Sequence, residues 1–210
     1  MKTTCKVCNA ICIFAICTKL VASADFDAFV TNALTKKSFL VEDSFTNRVN
    51  QCANQNTNEE LSITAKLIMG VSQLEMFNQT LNETHISTAF NSVSNLMSMS
   101  ALTTKRWEYW HLQLLHVSCM NVDNNKWGAY FVSSNAWDAI QGSGFYDSTN
   151  IVSQALMRYY GFENDVTVRT SIALFKALSA AAIGKNDDVD ESEKYLPDVL
   201  KQKMRSFLNE

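Results

Sequence analysis

Residues 59–77 read Glu59-Glu-Leu-Ser-Ile-Thr-Ala-Lys-Leu-Ile-Met-Gly-Val-Ser-Gln-Leu-Glu-Met-Phe77. Leu61, Leu67, Ile68, Val71, Leu74 and Phe77 recur at helical spacing and fall on one side of a helix. Asn58 is placed to cap its start, and Glu59 and Glu60 suit the positive end of the helix dipole. A periodicity held for five turns, without proline, sets the expectation for the rest of the chain.

Working outward, the same spacing recurs. Phe26, Phe29, Val30 and Leu34 predict one helix, and Phe39, Leu40, Phe45 and Val49 a second. After residue 77 comes a polar stretch. Then Ile86, Phe90, Val93 and Met97 mark a helix for which Thr84 is the expected cap. Arg106–Val117 is dense in aromatic and aliphatic residues and should be central, and Asn121–Asn125 is a polar break. Ala129–Ile140, carrying Phe131, Trp137 and Ile140, ends at Gly142-Ser-Gly144. Helices are expected over Ser148–Tyr160 and Asp165–Ile183, stopped by Gly161 and Gly184. Lys185–Glu193 reads as an acidic linker, and a last short helix follows Pro197 with Val199, Leu200, Met204 and Phe207. One proline and six glycines in 210 residues argue against a many-turned β sandwich. The expected fold is therefore all-α, a single-domain multi-helix bundle.

The front of the chain has a different character. Lys2 and Lys6 precede Val7–Cys17, apolar except for Asn9, and Ala22-Ser-Ala24 follows. A positive start, a short apolar run and a small-x-small exit define a secretory signal, here residues 1–24, with Asp25 opening a secreted domain of residues 25–210. The apolar run is far below the roughly 20 residues that span a bilayer. Cleavage removes Lys2, Lys6 and Lys19 from 18 basic residues, leaving 15 against 21 acidic ones, a net charge of −6. An acidic chain without a basic run is a poor partner for nucleic acid or anionic membranes. No later segment is apolar enough to span a membrane.

Cys5, Cys8, Cys12 and Cys17 leave with the leader, and Cys52 and Cys119 remain. Export favours their pairing in one disulfide, which would tie the early helices to the central aromatic one. Asn78 (Asn-Gln-Thr) and Asn82 (Asn-Glu-Thr) stand in glycosylation sequons, expected on an exposed loop.

Catalytic or metal chemistry has little to work with. His111 and His116 are five residues apart and do not stack on one helix face. Glu108-x-x-His111 is half of a di-iron carboxylate pattern whose second half is missing. His116 beside Cys119 evokes a base and a thiol, but a structural disulfide is the better reading. Gly142-Ser-Gly144 is neither a nucleophile elbow nor a phosphate loop. The acidic run after Lys185 lacks the glycine of a calcium loop. No catalytic residue, metal ligand or cofactor is assigned. Trp107, Tyr109, Trp110, Trp127, Tyr130, Phe131 and Trp137 are expected as core, or as the lining of a pocket for a small apolar ligand.

Ala136-Trp137-Asp138-Ala139-Ile140, a glycine/serine-rich gap, Asn150 and Arg158-Tyr159-Tyr160 together resemble the C-terminal half of insect silk fibroin light chains. The likeness covers about forty residues. It implies a secreted, helix-rich structural subunit that assembles with another secreted chain. It also implies a cysteine shortly before the motif paired with an earlier one, roles that Cys119 and Cys52 would fill. The family's link to its heavy chain uses a cysteine in the following helix, where this chain has Gln154. The chain is also shorter and less rich in alanine and glycine. The expectation is a non-catalytic extracellular assembly subunit, and the alternative is a carrier of small hydrophobic ligands. Trp137 is expected to be buried and to hold the glycine/serine loop against the helix after it.

Overall fold

The computed structural model of the protein describes residues 24–55, 59–145, 149–162 and 166–208. The expected leader, residues 1–23 of it, lies outside these, as does the cap residue Asn58. The described residues are helical, with no strand among them. Helix α1 occupies residues 24–35 and buries Phe26, Val30, Ala33 and Leu34. A 3-10 helix, Lys37–Val41, and α2, Asp43–Gln55, stand where one helix was expected. The break is Glu42, whose extended backbone (φ −75°, ψ 138°) turns the chain between Leu40 and Phe45, both buried.

Helix α3, Glu59–Thr80, has Ser62, Ile63, Thr64 and Ala65 buried as well as its expected apolar side. The reason is its position, since α2, α4, α5 and the 3-10 helix all lie against it. Leu81 then takes a left-handed conformation (φ 54°) and α4, Glu83–Met97, folds back along α3. The cap of α4 is Asn82 rather than Thr84: the Thr84 amide donates to Asn82 Oδ1 at 3.0 Å.

Helix α5, Trp107–Val122, is central as expected and serves two cores. Leu112, Leu115 and Cys119 face a first core built from α1–α4 and α7 (Ile151–Tyr159). Trp110 and Leu114 face a second core, built with α6 (Lys126–Gly142), α8 (Val168–Ala181), Leu196, Leu200 and Met204. The acidic run after Lys185 is a helix, α9 (Asn186–Glu193), not a linker. Its carboxylates are tied down: Lys176 Nζ lies 3.4 Å from Glu191 and Arg205 Nε 2.7 Å from Glu193, while the Tyr130 hydroxyl donates to Asp188 at 2.7 Å. Helix α10, Asp198–Leu208, follows Pro197.

The expected disulfide is not formed. Cys52 and Cys119 are both free thiols and do not stand at disulfide distance. Cys52 is half-buried on α2, which lies against α3; Cys119 is fully buried on α5, within the first core. A disulfide needs Cα atoms within about 7 Å, and these thiols serve the first core as separate packing groups. No described helix is long and apolar enough to cross a membrane.

Candidate interaction surface

The Ala136–Ile140 motif lies in the second half of α6. Ala136, Trp137 and Ile140 are buried, Ala139 is half-buried, and Asp138 is exposed. The Trp137 ring meets Tyr195 edge-on at 4.7 Å, so it is seated against the C-terminal segment. The indole that meets the glycine/serine loop is Trp110, 5.7 Å from Phe145, with its Nε1 donating to the Thr104 carbonyl at 3.1 Å. Arg169 donates to the Ile140 carbonyl at 3.1 Å and closes the end of α6 from α8. A small void between α5, α6 and α8, lined by Leu114, Val117, Ser133, Ala136 and Phe175 among others, leaves no room for a water molecule.

The aromatic residues that looked like one cluster divide into two populations. Trp110 and Trp137 are buried in the second core. Trp127 and Phe131 stand in solvent, 54% and 58% exposed, with ring centroids 6.0 Å apart. Tyr130 lies behind them, buried, 6.3 Å from Trp127 and 5.7 Å from Phe131. It is pinned by Asp188 and by Lys185 Nζ, 4.8 Å above its ring. Exposed Val122 lies at the end of α5, just before the turn into α6.

The turn that projects this surface is built locally. Asn124 is left-handed (φ 55°), and Asn125 Oδ1 accepts from the Gly128 amide at 2.8 Å to cap α6. A Cβ on Gly128 would stand 2.7 Å from Met120 Sδ and 2.8 Å from the Asn125 side chain, so a larger residue here would have to push both side chains aside. Phe131 was expected as core or as the lining of a pocket. The core face of α6 is Ala129, Tyr130, Ser133, Ala136, Trp137 and Ile140, and Trp127 and Phe131 fall one position off that register. That offset was readable in the sequence had the stripe been phased on Trp137 and Ile140.

The other residues singled out by sequence do not gather into a site. Glu108 and His111 face different partners. Glu108 is gripped by Arg106, Nη2 to Oε1 at 2.7 Å and Nε to Oε2 at 3.2 Å, and accepts from Thr64 at 3.0 Å. His111 Nε2 pairs with Ser153 Oγ at 2.8 Å in complete burial, which pushes its pKa down to about 3. Burial also pushes the Cys119 thiol up to about 12 and lowers His116, so neither a thiolate nor an imidazolium is favoured there. The His116 ring instead meets Phe90 edge-on at 6.3 Å. Among the described residues, no three His, Cys, Asp or Glu side chains are placed to hold a metal. Gln154 is exposed on α7. Asn78 and Asn82 are both exposed, one in the last turn of α3 and the other capping α4, so the sequons straddle a tight helix junction rather than an open loop.

Comparison with protein-family models, with curated proteins and with solved structures returns no significant match for the chain.

Proposed function

We propose that the chain is a secreted, non-catalytic assembly subunit of an extracellular complex, of the silk fibroin light-chain kind, and that Trp127 and Phe131 are its contact with another secreted chain. The observation that carries this is the pair of large rings held in solvent at the start of the helix whose second half bears the Ala136–Ile140 motif. Nothing in the described protein covers them, and the turn beneath them is braced by Asn125, Gly128 and the pinned Tyr130. Large aromatic side chains dominate interface energetics, each contributing about 1.5–3 kcal/mol of burial. The contact would be non-covalent, because the position matching the family's inter-chain cysteine is Gln154.

The carrier reading draws on the same aromatic residues, but around the motif they fill space instead of enclosing it. Native material taken from its source should elute as a complex on size-exclusion chromatography. Trp127→Ser with Phe131→Ser should elute as a folded monomer. A wild-type monomer that co-purifies with a lipid would overturn the assembly reading in favour of a carrier. Export has its own check: N-terminal sequencing of the secreted protein should read Asp25-Phe26-Asp27, and a retained leader would refute cleavage after Ala24.

A further inference from the structure

We propose that Asn82, and not Asn78, carries an N-linked glycan. The two sequons sit four residues apart on either side of Leu81, and their local structures differ. Asn82 lies outside helix, with extended backbone (φ −84°, ψ 114°). Its Oδ1 accepts from the Thr84 amide at 3.0 Å and from the Thr84 hydroxyl at 2.9 Å. The sequon threonine is therefore already folded onto the side chain to be modified. All of these bonds use the amide oxygen, and the residue is exposed. Asn78 sits inside the last turn of α3, where its sequon threonine, Thr80, turns away and donates to the Met76 carbonyl at 2.7 Å. A helical turn holds Asn and Thr two residues apart on different faces, so Asn78 must unwind before the two can meet.

The junction itself stands in solvent. Leu81 between the sequons is 73% exposed with φ 54°. Glycosylation keeps the capping function of Asn82, because an N-glycosylated asparagine retains its amide oxygen as acceptor.

The step is a glycosyl transfer from a lipid-diphosphate-linked oligosaccharide of the secretory compartment. A bond forms between Asn82 Nδ2 and the anomeric carbon of the first sugar. The bond from that carbon to the phosphate oxygen breaks, the lipid diphosphate leaves with the electron pair, and Nδ2 loses one proton. The proposal rests on the export reading, and the experiment separates the two. The full chain is expressed in insect cells as it stands, and again with an unrelated cleavable leader added in front. Cells and medium are analysed together by mobility before and after peptide N-glycosidase.

With the added leader, one glycosidase-sensitive step is expected. It should vanish in Asn82→Asp, which keeps a capping oxygen, and in Thr84→Ala, which keeps the asparagine. It should persist in Asn78→Asp. No step, two steps, or a step that survives Asn82→Asp would overturn the assignment. Absence of the unmodified chain from the medium, with the leader-added chain glycosylated, would sink export alone.

Discussion

The two cores that meet on α5 hold their helices by different means. The first, among α1–α5 and α7, is keyed by buried polar bonds. The Tyr159 hydroxyl donates to Glu75 at 3.0 Å, Ser62 to the Ala53 carbonyl at 2.8 Å and Thr64 to Glu108, while Ser72 bonds the Leu40 carbonyl. Each joins a residue of α3 to a different segment, so a shift of α3 along its axis would leave buried groups unpaired. The second core holds both fully buried tryptophans, Trp110 and Trp137. Its charged ties run outward to α9, from buried Lys176 to exposed Glu191 and from Arg205 to Glu193. Volume does there what directional bonds do in the first core. Trp127 and Phe131, on the opposite side of α6, continue its aromatic character into solvent.

The largest test of this contrast is Trp137→Ala. It should cost about 3–5 kcal/mol, read as a lowered denaturant midpoint, because the indole is buried and its surroundings would relax only partially into the space it leaves. A loss below about 1 kcal/mol would mean the second core does not depend on its rings.

Tyr159→Phe probes the first core. It removes a donor to a buried carboxylate that, among the described residues, keeps Gln79, 3.1 Å away, and should cost about 1.5–3 kcal/mol. If the loss is negligible, the polar keys do not set the fit of α3.

Per pH unit a smaller effect comes from His111, buried between α5 and α7. His111 has a pKa near 6.5 unfolded and about 3 folded, because burial disfavours its charged form. Between those values the unfolded chain binds the extra proton, so stability falls as pH falls and the loss levels off below about 3. The slope should approach about 1.4 kcal/mol per pH unit below pH 6. Asp27 works in the opposite sense. Burial first, and then the Glu108 charge, raises its carboxyl, so protonating it adds stability as pH falls through the raised value. Urea midpoints measured across this range should show a shallower acid slope in His111→Gln than in wild type; equal slopes would contradict the assignment.

The smallest stability effect is expected at Trp127→Ala, within about 0.5 kcal/mol, because the ring is over half exposed. A loss as large as that of Trp137→Ala would show that Trp127 belongs to the core after all.

The helical fold was legible in the sequence because apolar spacing is a local property. Leu61 to Phe77 determined a helix whatever it packed against, and Gly161 and Gly184 both stand at left-handed positions just past helix ends, as their placement implied. The misreadings share a cause. Glu42 divides one apolar series into two elements, and the acidic run after Lys185 is helical because Lys176, Arg205 and Tyr130 come to meet it from distant parts of the chain. The disulfide was expected from cysteine count and compartment, yet pairing depends on distance between residues 67 positions apart in the chain. The aromatic residues of α5 and α6 are alike in composition. Only the packing of α8 and the C-terminal segment against α6 decided that Trp137 is interior and that Trp127 and Phe131 are surface, because burial is set by what arrives from elsewhere, and helical spacing fixes only which residues share a face.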